Sequence, residues 1–457
     1  MGSPGLSRAR EKMADAGVDE TAIEVFSHYY RLLEHGETGM IPESDIEPHD
    51  MESLADVTVD DAQATAALDG TAVIKLNGGL GTSMGMDRAK SLLCVRKGLS
   101  FLDVIARQVL HLRATTGARL PLIFMNSFRT SGDTVAALGR YEDLAVPGLP
   151  LEFHQNKEPK LLLRDLLPAS LPRDPDLEWC PPGHGDLYTA LLGTGLLDAL
   201  LEAGYERVFV SNSDNLGAVP DPRVAGWFAA SGAPFAIEAV RRTPSDRKGG
   251  HFARRRSDGR IVLRETAQTL PQDKEALADL ERHRFTSTNN LWFDLAAMKE
   301  ALSVRRGILG LPLIRNVKHL DPTDPSTPEV VQIETAMGAA IEIFEDATTI
   351  EVGRDRFVPV KTTNDLLVLR SDVYALGEDF VLTQQAEQVP FVDLDGPYTT
   401  VDQFAQRFPE GAPSLAEATS LKVTGDVTFC RGVKVVGDVE IDAGSQAQRV
   451  ESDSVLR

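Results

Sequence analysis

Between Leu76 and Ser91 the chain reads LNGGLGTSMGMDRAKS, in which Gly78, Gly79, Gly81 and Gly85 precede Arg88 and Lys90. Glycine lets a backbone turn through positive φ and brings its N–H groups against phosphate oxygens, and a nearby lysine adds a compact positive charge. The stretch therefore reads as a phosphate loop, although not of either common kind. A dinucleotide fingerprint needs Gly-x-Gly-x-x-Gly, whereas three residues separate Gly81 from Gly85. An ATPase-type loop needs glycine before its Lys-Ser pair, and Ala89 stands before Lys90 and Ser91. A glycine turn without a ligand has the same composition.

Other segments offer companion chemistry. WCPPGHGDLYTALL sets Pro181, Pro182, Gly183, His184, Gly185 and Asp186 before an amphipathic helix, where free N–H groups and the helix dipole favour an anion or a planar base edge. Asp186 reads better as a helix N-cap than as a catalyst, and His184 as either a ligand contact or an ordinary loop histidine. VFVSNSDNLGA ends a buried-strand pattern on Asn212, Ser213, Asp214 and Asn215; a carboxylate there could hold a hard cation shared with phosphates, or merely form an Asx turn. RRTPSDRKGGHFARRR, with Gly249 and Gly250 beside Lys248, reads mainly as a solvated basic run. Asn289 and Asn290 in RFTSTNNLWFDL, and Glu334 and Thr335 in VQIETAMGAAIEIF, suit sugar hydroxyls, although a core helix would also explain the second segment. Lys361, at the end of RFVPV, is a second candidate charge for phosphates or a plain surface lysine.

The elements that must carry these residues alternate. From Thr71 the apolar runs TAVIKL, LPLIFMNS, LPLEFHQN and ERVFVSNSD are separated by helical patterns, the last being the single stretch LYTALLGTGLLDALLEAG. That alternation predicts βαβ units, a mostly parallel sheet with helices on both faces, and ligands at the carboxyl ends of strands. Residues before about 70 predict a helical lead-in with no chemistry of its own. Past about 375, LKVTGDVTFCRGVKVVGDVEIDAG places short β-branched runs between Gly425, Gly432, Gly437 and Gly444, predicting a small parallel solenoid, with a two-hairpin appendage as the alternative.

Bulk properties bound the partners. Length 457 suggests roughly two or three domains. A net charge of −21 (47 Lys and Arg against 68 Asp and Glu) disfavours nucleic acid and anionic membrane as partners, so an anionic ligand needs a local basic pocket. Cys94, Cys180 and Cys430 lie far apart with no CxxC, which fits a reducing compartment and no structural zinc. No signal-peptide core and no run of about eighteen apolar residues occurs, so a cytoplasmic protein is expected.

In one consistent order, KLNGGLGTSMG with Lys90 and Ser91, GLSFLDV, PPGHGDLY, FVSNSDNLGA, KGG, TNNLW, ETAMGAAI and RFVPVKTTNDLL make the chain similar, over roughly residues 15 to 445, to the eukaryotic-type UTP:glucose-1-phosphate uridylyltransferases. The resemblance implies an α/β fold: an N-terminal helical portion (1–70), a central Rossmann-like, GT-A type nucleotidyltransferase sheet (71–375) and a C-terminal parallel left-handed β-helix (376–457). It also implies UTP and glucose 1-phosphate as substrates and Mg2+ as cofactor. An oxygen of the sugar phosphate would attack the α-phosphorus in line, giving UDP-glucose and pyrophosphate. The nucleophile is already an anion, so the protein must align two mutually repelling phosphates and neutralise the growing charge. By the same resemblance, the backbone of Leu76, Asn77, Gly78 and Gly79 holds the nucleotide, with Lys90 on its phosphates. Gln155 and Gly183 read the uracil edge, and His184 and Lys361 contact phosphates near the reacting centre. Asp214 helps place magnesium, while Asn212, Gly250, Glu265, Asn289 and Asn290 bind the hexose.

The chain departs from the family at Met86, Asp87, Arg88 and Ala89, where many relatives carry Gly-Pro before the loop lysine, and at Asn156 to Lys160, where arginine-containing versions are familiar. The family self-associates through its C-terminal domain, which makes a homo-oligomer an expectation; with the domain stopping early at Arg457, the state does not carry over. A GT-A glycosyltransferase ranks lower because SNSDN has a single aspartate and Lys90 would be idle. N-acetylhexosamine pyrophosphorylases rank lower because they lack the His184-Gly185-Asp186 form. A pyrophosphorylase for another hexose 1-phosphate and a non-catalytic nucleotide-sugar-binding homologue stay open, since fold alone does not fix function.

Overall fold

The apolar runs marked as strands pack into one eight-stranded sheet. The structure is a computed structural model that describes residues 3–247 and 249–457; Lys248, named above beside the glycine pair, lies outside the described residues. Across the sheet the order is Glu52–Ser53, Thr348–Glu351, Phe235–Arg241, Phe285–Asp294, Arg207–Asn212, Thr71–Asn77, Leu122–Asn126 and Glu152–His154. Phe285–Asp294 runs antiparallel to both neighbours, and every other pairing is parallel, so the sheet is mixed. Ala72, Val73 and Ile74 are fully buried, as a central strand covered on both faces requires.

Local signals set the helices. In GLSFLDV, Ser100 and Asp103 form a reciprocal capping box that starts Phe101–Thr116, and Gly117 at φ 74° ends it. The stretch expected as one long helix is two, Asp186–Gly193 and Leu196–Glu202, because Gly195 stands at φ 71° between them. VQIETAMGAAIEIF likewise is not a core helix. Glu329–Glu334 is a strand paired with Ile314–His319 and Leu161–Leu162, followed by the 3-10 turn Met337–Glu342.

The N-terminal segment is helical at first. In Glu20–Glu34, Ile23, Phe26, Tyr30 and Leu33 recur at helical spacing and pack with Leu6, Ala9 and Met13 of Pro4–Asp15 on Leu161, Val331 and Ile333. It then becomes extended: Ile46–Pro48 pairs with His251–Arg255, and Glu52–Ser53 forms an edge of the main sheet.

Toward the C-terminus, Phe391–Leu394, Ser414–Thr424, Lys434–Asp442 and Val455–Leu456 form one parallel sheet, and Val427–Phe429 pairs in parallel with Gln448–Val450. Hairpins pair antiparallel, so the two-hairpin alternative fails. Leu421 lies beside Val439 and Val423 beside Ile441, stacking like residues of successive coils, while Gly425 (φ 83°) and Gly432 (φ 73°) make the corners. One apolar cluster joins this region to the main sheet, running from Val73 and Phe101 through Tyr398 to Leu421 and Val435.

Candidate active site

At the carboxyl ends of Thr71–Asn77, Leu122–Asn126 and Arg207–Asn212 lies a cleft of about 280 Å³. Its walls bring together Leu76, Gly78, Gly79, Lys90, Gln155, Gly183, His184, Asn212 and Asp214 from the predicted set, with Met125, Pro181 and Ser213. This is where parallel strands leave their unpaired carboxyl ends, the general ligand position of such sheets.

The glycine loop is held by its own backbone. Lys90 N–H donates to Gly79 O at 3.1 Å, and Met84 N–H to Gly81 O at 2.8 Å. Gly81 and Gly85 are left-handed, and Gly78 lies under the Gln155 amide, whose oxygen and nitrogen would sit within 3 Å of any Cβ placed there. Asn77 turns its side chain away from the cleft, donating to Asn126 Oδ1 (2.7 Å) and Thr134 Oγ1 (2.9 Å) and accepting from Ser213 Oγ (3.1 Å). It fixes the strand ends from beneath and leaves its backbone to face a ligand. Asp87 and Arg88 are both exposed.

Lys90 and Asp214 meet. The Lys90 ammonium donates to Asp214 Oδ2 at 2.7 Å and also to Val360 O, and both side chains are partly buried. Val360 N–H returns a bond to Asp214 O at 3.1 Å, and Asn215 clamps the same segment, donating to Arg356 O and accepting from Val358 N–H. The glycine loop, the Asp214 turn and the segment leading to Lys361 are thus one connected unit.

Opposite, the Gly183 loop is clasped to Thr335. Gly185 N–H donates to Thr335 O (2.8 Å) and Thr335 N–H to Pro182 O (3.0 Å). His184 opens to the cleft, yet the dense protein around it pulls its pKa down to about 4. Met337 N–H donates to Nδ1 at 3.0 Å, which holds the ring neutral and leaves Nε2 to carry the proton toward a ligand. Gly183 is at φ 77°, and a Cβ there would lie 2.6 Å from Thr335 O. Gly183→Ala is therefore expected to displace this loop and weaken the binding of a ligand in the cleft at least about tenfold, the cost of a strained left-handed residue plus a backbone clash. Calorimetric titration alongside circular dichroism checks it; unchanged affinity in a folded variant would contradict the close approach.

Gly250, Glu265 and Lys361 form a second group beside the first. A Cβ on Gly250 would lie 2.6 Å from Glu265 Oε2, and burial raises the pKa of Glu265 while the Lys361 charge opposes that rise. Lys361 is exposed, its N–H spent on Asp365 Oδ2. Asn289 stands at φ 57° in a bulge of Phe285–Asp294 opposite Glu238 and Ala239. Asn290 is fully buried instead of lining the cleft: Nδ2 donates to Glu238 Oε2 at 3.0 Å, and Oδ1 has no partner among the described residues. Glu334 accepts from Asn316 and Thr335 clasps the loop, so both serve the framework.

The basic run resolves into ion pairs away from the cleft: Arg255 with Glu342, and Arg256 with Glu47 at 3.0 Å. Among the described residues, the one His and carboxylate trio close enough to share an ion is Glu43, His251 and His283. Arg264 and Arg282 already occupy both Glu43 oxygens and the two imidazoles stack at 3.7 Å, so the charge there is balanced without a cation. Two residues that brace the site from the interior escaped the sequence: Glu238 and Arg356, whose buried side chains pair. A lone glutamate inside the apolar run FAIEAV was the available signal.

A glycine loop with a lysine and a carboxylate across a mixed α/β sheet defines the class of nucleotide-handling α/β proteins that use neither a Walker nor a dinucleotide loop. A family model described as UTP–glucose-1-phosphate uridylyltransferase matches residues 23–436. Enzymes of that name from Solanum tuberosum (38% identical, covering 87% of this chain and 82% of the relative) and Hordeum vulgare (37%; 96% and 92%) are similar over most of their lengths. Solved structures of UDP-glucose pyrophosphorylase from Leishmania major superimpose with a TM-score of 0.94 at 41% identity over 100% of this chain and 98% of theirs, and a mutant of that protein in complex with UDP-glucose gives 0.94 at 42% over the same shares. The chain belongs to the UTP–glucose-1-phosphate uridylyltransferase family.

Proposed function

We propose that the protein transfers UMP from UTP to glucose 1-phosphate, releasing UDP-glucose and pyrophosphate. The observation that carries this reading is the Lys90–Asp214 pair at 2.7 Å, a matched cation and anion on the wall of a cleft whose other walls are glycine backbone and amides. An oxygen of the sugar phosphate forms a bond to the α-phosphorus as the bond to the bridging oxygen of pyrophosphate breaks. No protein nucleophile is required. The backbone of Leu76 to Gly79 binds the nucleotide and Lys90 its phosphates, while Gln155 and Gly183 read uracil. His184 donates from Nε2 to a phosphate oxygen, and Lys361 approaches from the Gly250 side. Asn212, Gly250, Glu265 and Asn289 receive the hexose, with Asn290 supporting the bulge behind them.

Asp214 fits a magnesium ion: it offers hard oxygens, and its Oδ1 has no protein partner among the described residues. The ion would neutralise phosphate charge, with its other ligands from the nucleotide and water. Asp214→Ala is expected to lower kcat about 100-fold or more, and a chelator to abolish turnover. Pyrophosphate release measured across a panel of nucleoside triphosphates and hexose 1-phosphates tests the whole reading. UTP with glucose 1-phosphate should be the preferred pair, and no release with any pair would refute it.

The units 1–70, 71–375 and 376–457 form our proposed domain division, the last a left-handed β-helix whose exposed edge strand suits a second copy. Among the described residues no helix is long and apolar enough to cross a membrane, and cytoplasmic residence is our proposal from the substrates.

A further inference from the structure

We propose that Asp186 is a positioning residue for base selection: from behind the cleft it ties the segment bearing Gln155 to the loop bearing Gly183, and so sets the width of the slot between them. The inference rests on the reading that Gln155 and Gly183 recognise the base.

An aspartate opening a helix would ordinarily cap it, and Asp186 does not. The N-cap of Asp186–Gly193 is Gly185, and the Asp186 carboxylate leaves its own helix altogether. Oδ2 accepts the Asn156 backbone N–H at 2.5 Å and Oδ1 accepts Asn156 Nδ2 at 2.9 Å, so both oxygens are spent on one residue 30 positions earlier. Asn156 directly follows Gln155, whose own N–H is fixed to Asn126 O at 2.8 Å. On the other side, the Thr335 clasp fixes Pro182 and Gly185.

Each wall of the slot is therefore fastened to its own strand, and the spacing between walls depends on what joins them. Two links do so. The short ladder of Glu158–Pro159 with Trp179–Cys180 joins them at one end of the Pro181–Gly185 loop, and Asp186 joins them at the other. Without the second link the Thr335 clasp still holds the loop to its own strand, but the spacing between the two walls rests on the ladder alone.

The surroundings make this link strong and its loss specific. Asp186 is 4% exposed and does not line the cleft; it lies against a small cavity shared with Phe26, Tyr29 and Glu158. Burial raises its pKa to about 7, and the two Asn156 bonds act in the opposite direction. Neighbouring Glu158, also buried, has its pKa raised well above the usual range by burial and by the charges of Asp186 and Glu334. Asparagine at 186 keeps the size of the side chain but offers one acceptor where two donors converge. One Asn156 donor then faces an NH2 group, and the tie opens.

The test is calorimetric binding of UTP and of CTP to the full chain, comparing the parent with Asp186→Asn, Asn156→Ala and Gln155→Ala. Asp186→Asn should reduce the UTP-over-CTP preference about tenfold or more while leaving affinity for glucose 1-phosphate within about twofold, because a charge-assisted tie is lost on the nucleotide side alone. Asn156→Ala keeps the backbone bond and should give a smaller fall. A destabilised Asp186→Asn with the parental preference would overturn the proposal, as would a parental preference in Asn156→Ala should Asp186→Asn fail to fold. Gln155→Ala separates the two layers. If it leaves the preference intact, the base-reading assignment is wrong; if it lowers the preference and the Asp186 and Asn156 variants do not, only the tie is wrong.

Discussion

Lys90→Ala is expected to reduce pyrophosphate release at least about 1000-fold, the scale at which removing a preorganised charge from a water-poor site acts on a phosphoryl transition state. Two effects add. The variant loses the ammonium that would follow the triphosphate, and it frees the Asp214 carboxylate, now paired at 2.7 Å, to face incoming phosphates as a bare negative charge. The second effect gives a sign test that needs no turnover. In the absence of divalent metal, Asp214→Ala should bind UTP at least as tightly as the parent, because it releases Lys90 from its partner, whereas Lys90→Ala should bind it more weakly. Wild-type turnover in Lys90→Ala would sink the proposed role, and weaker metal-free binding in Asp214→Ala together with unchanged or tighter binding in Lys90→Ala would show that the pair does not guard the phosphate site. Lys90→Arg should recover little, since Val360 O and Asp214 Oδ2 converge on a single compact ammonium and the larger planar guanidinium would have to place its charge elsewhere.

What the sequence made legible follows from range. The strand Thr71–Asn77 and the capping box at Ser100 and Asp103 are local patterns, and they stand where their spacing puts them. The cleft residues were legible for a related reason: Gly78 and Asp214 stand just past strands of the main sheet, whose carboxyl ends converge, and Gly183 was marked by the Pro-Gly loop that precedes an amphipathic helix. Elements decided by distant partners were not. Glu329–Glu334 carries residues that suit a helix as well as a strand, and pairing on both edges chose the strand. Asn290 reads like its neighbour Asn289, and only the bulge opposite Glu238 turns one into the interior while the other is left in the left-handed region. Asp186 has the local signature of a cap, and its true partner at Asn156 lies 30 residues away on another strand end.

Arg356→Ala is expected to destabilise the fold by about 3–5 kcal/mol, because it strands a buried carboxylate. Glu238 is fully buried and accepts four bonds: from Arg356 Nε (2.6 Å) and an Arg356 terminal nitrogen (2.7 Å), from Trp292 Nε1 (2.9 Å) and from Asn290 Nδ2 (3.0 Å). Removing the guanidinium leaves two neutral donors to hold a charge with no path to water. Lys75 does not replace it, since its ammonium is committed to Ser211 Oγ and Ala218 O. The paired variant Glu238→Leu with Arg356→Leu separates stability from chemistry. Swapping both charges for apolar groups should return part of the lost stability, the remainder going to the Trp292 and Asn290 donors that lose their acceptor. Turnover should nevertheless stay low, because Arg356 heads the segment that supplies Val360 O to Lys90 and ends at Lys361, and it also fastens that segment to Val219 O at 3.0 Å. Denaturant unfolding and pyrophosphate release on the same preparations check both halves. A single variant as stable as the parent would refute the buried-pair energetics, and a double variant with full turnover would show that Lys90 and Lys361 are positioned without this anchor.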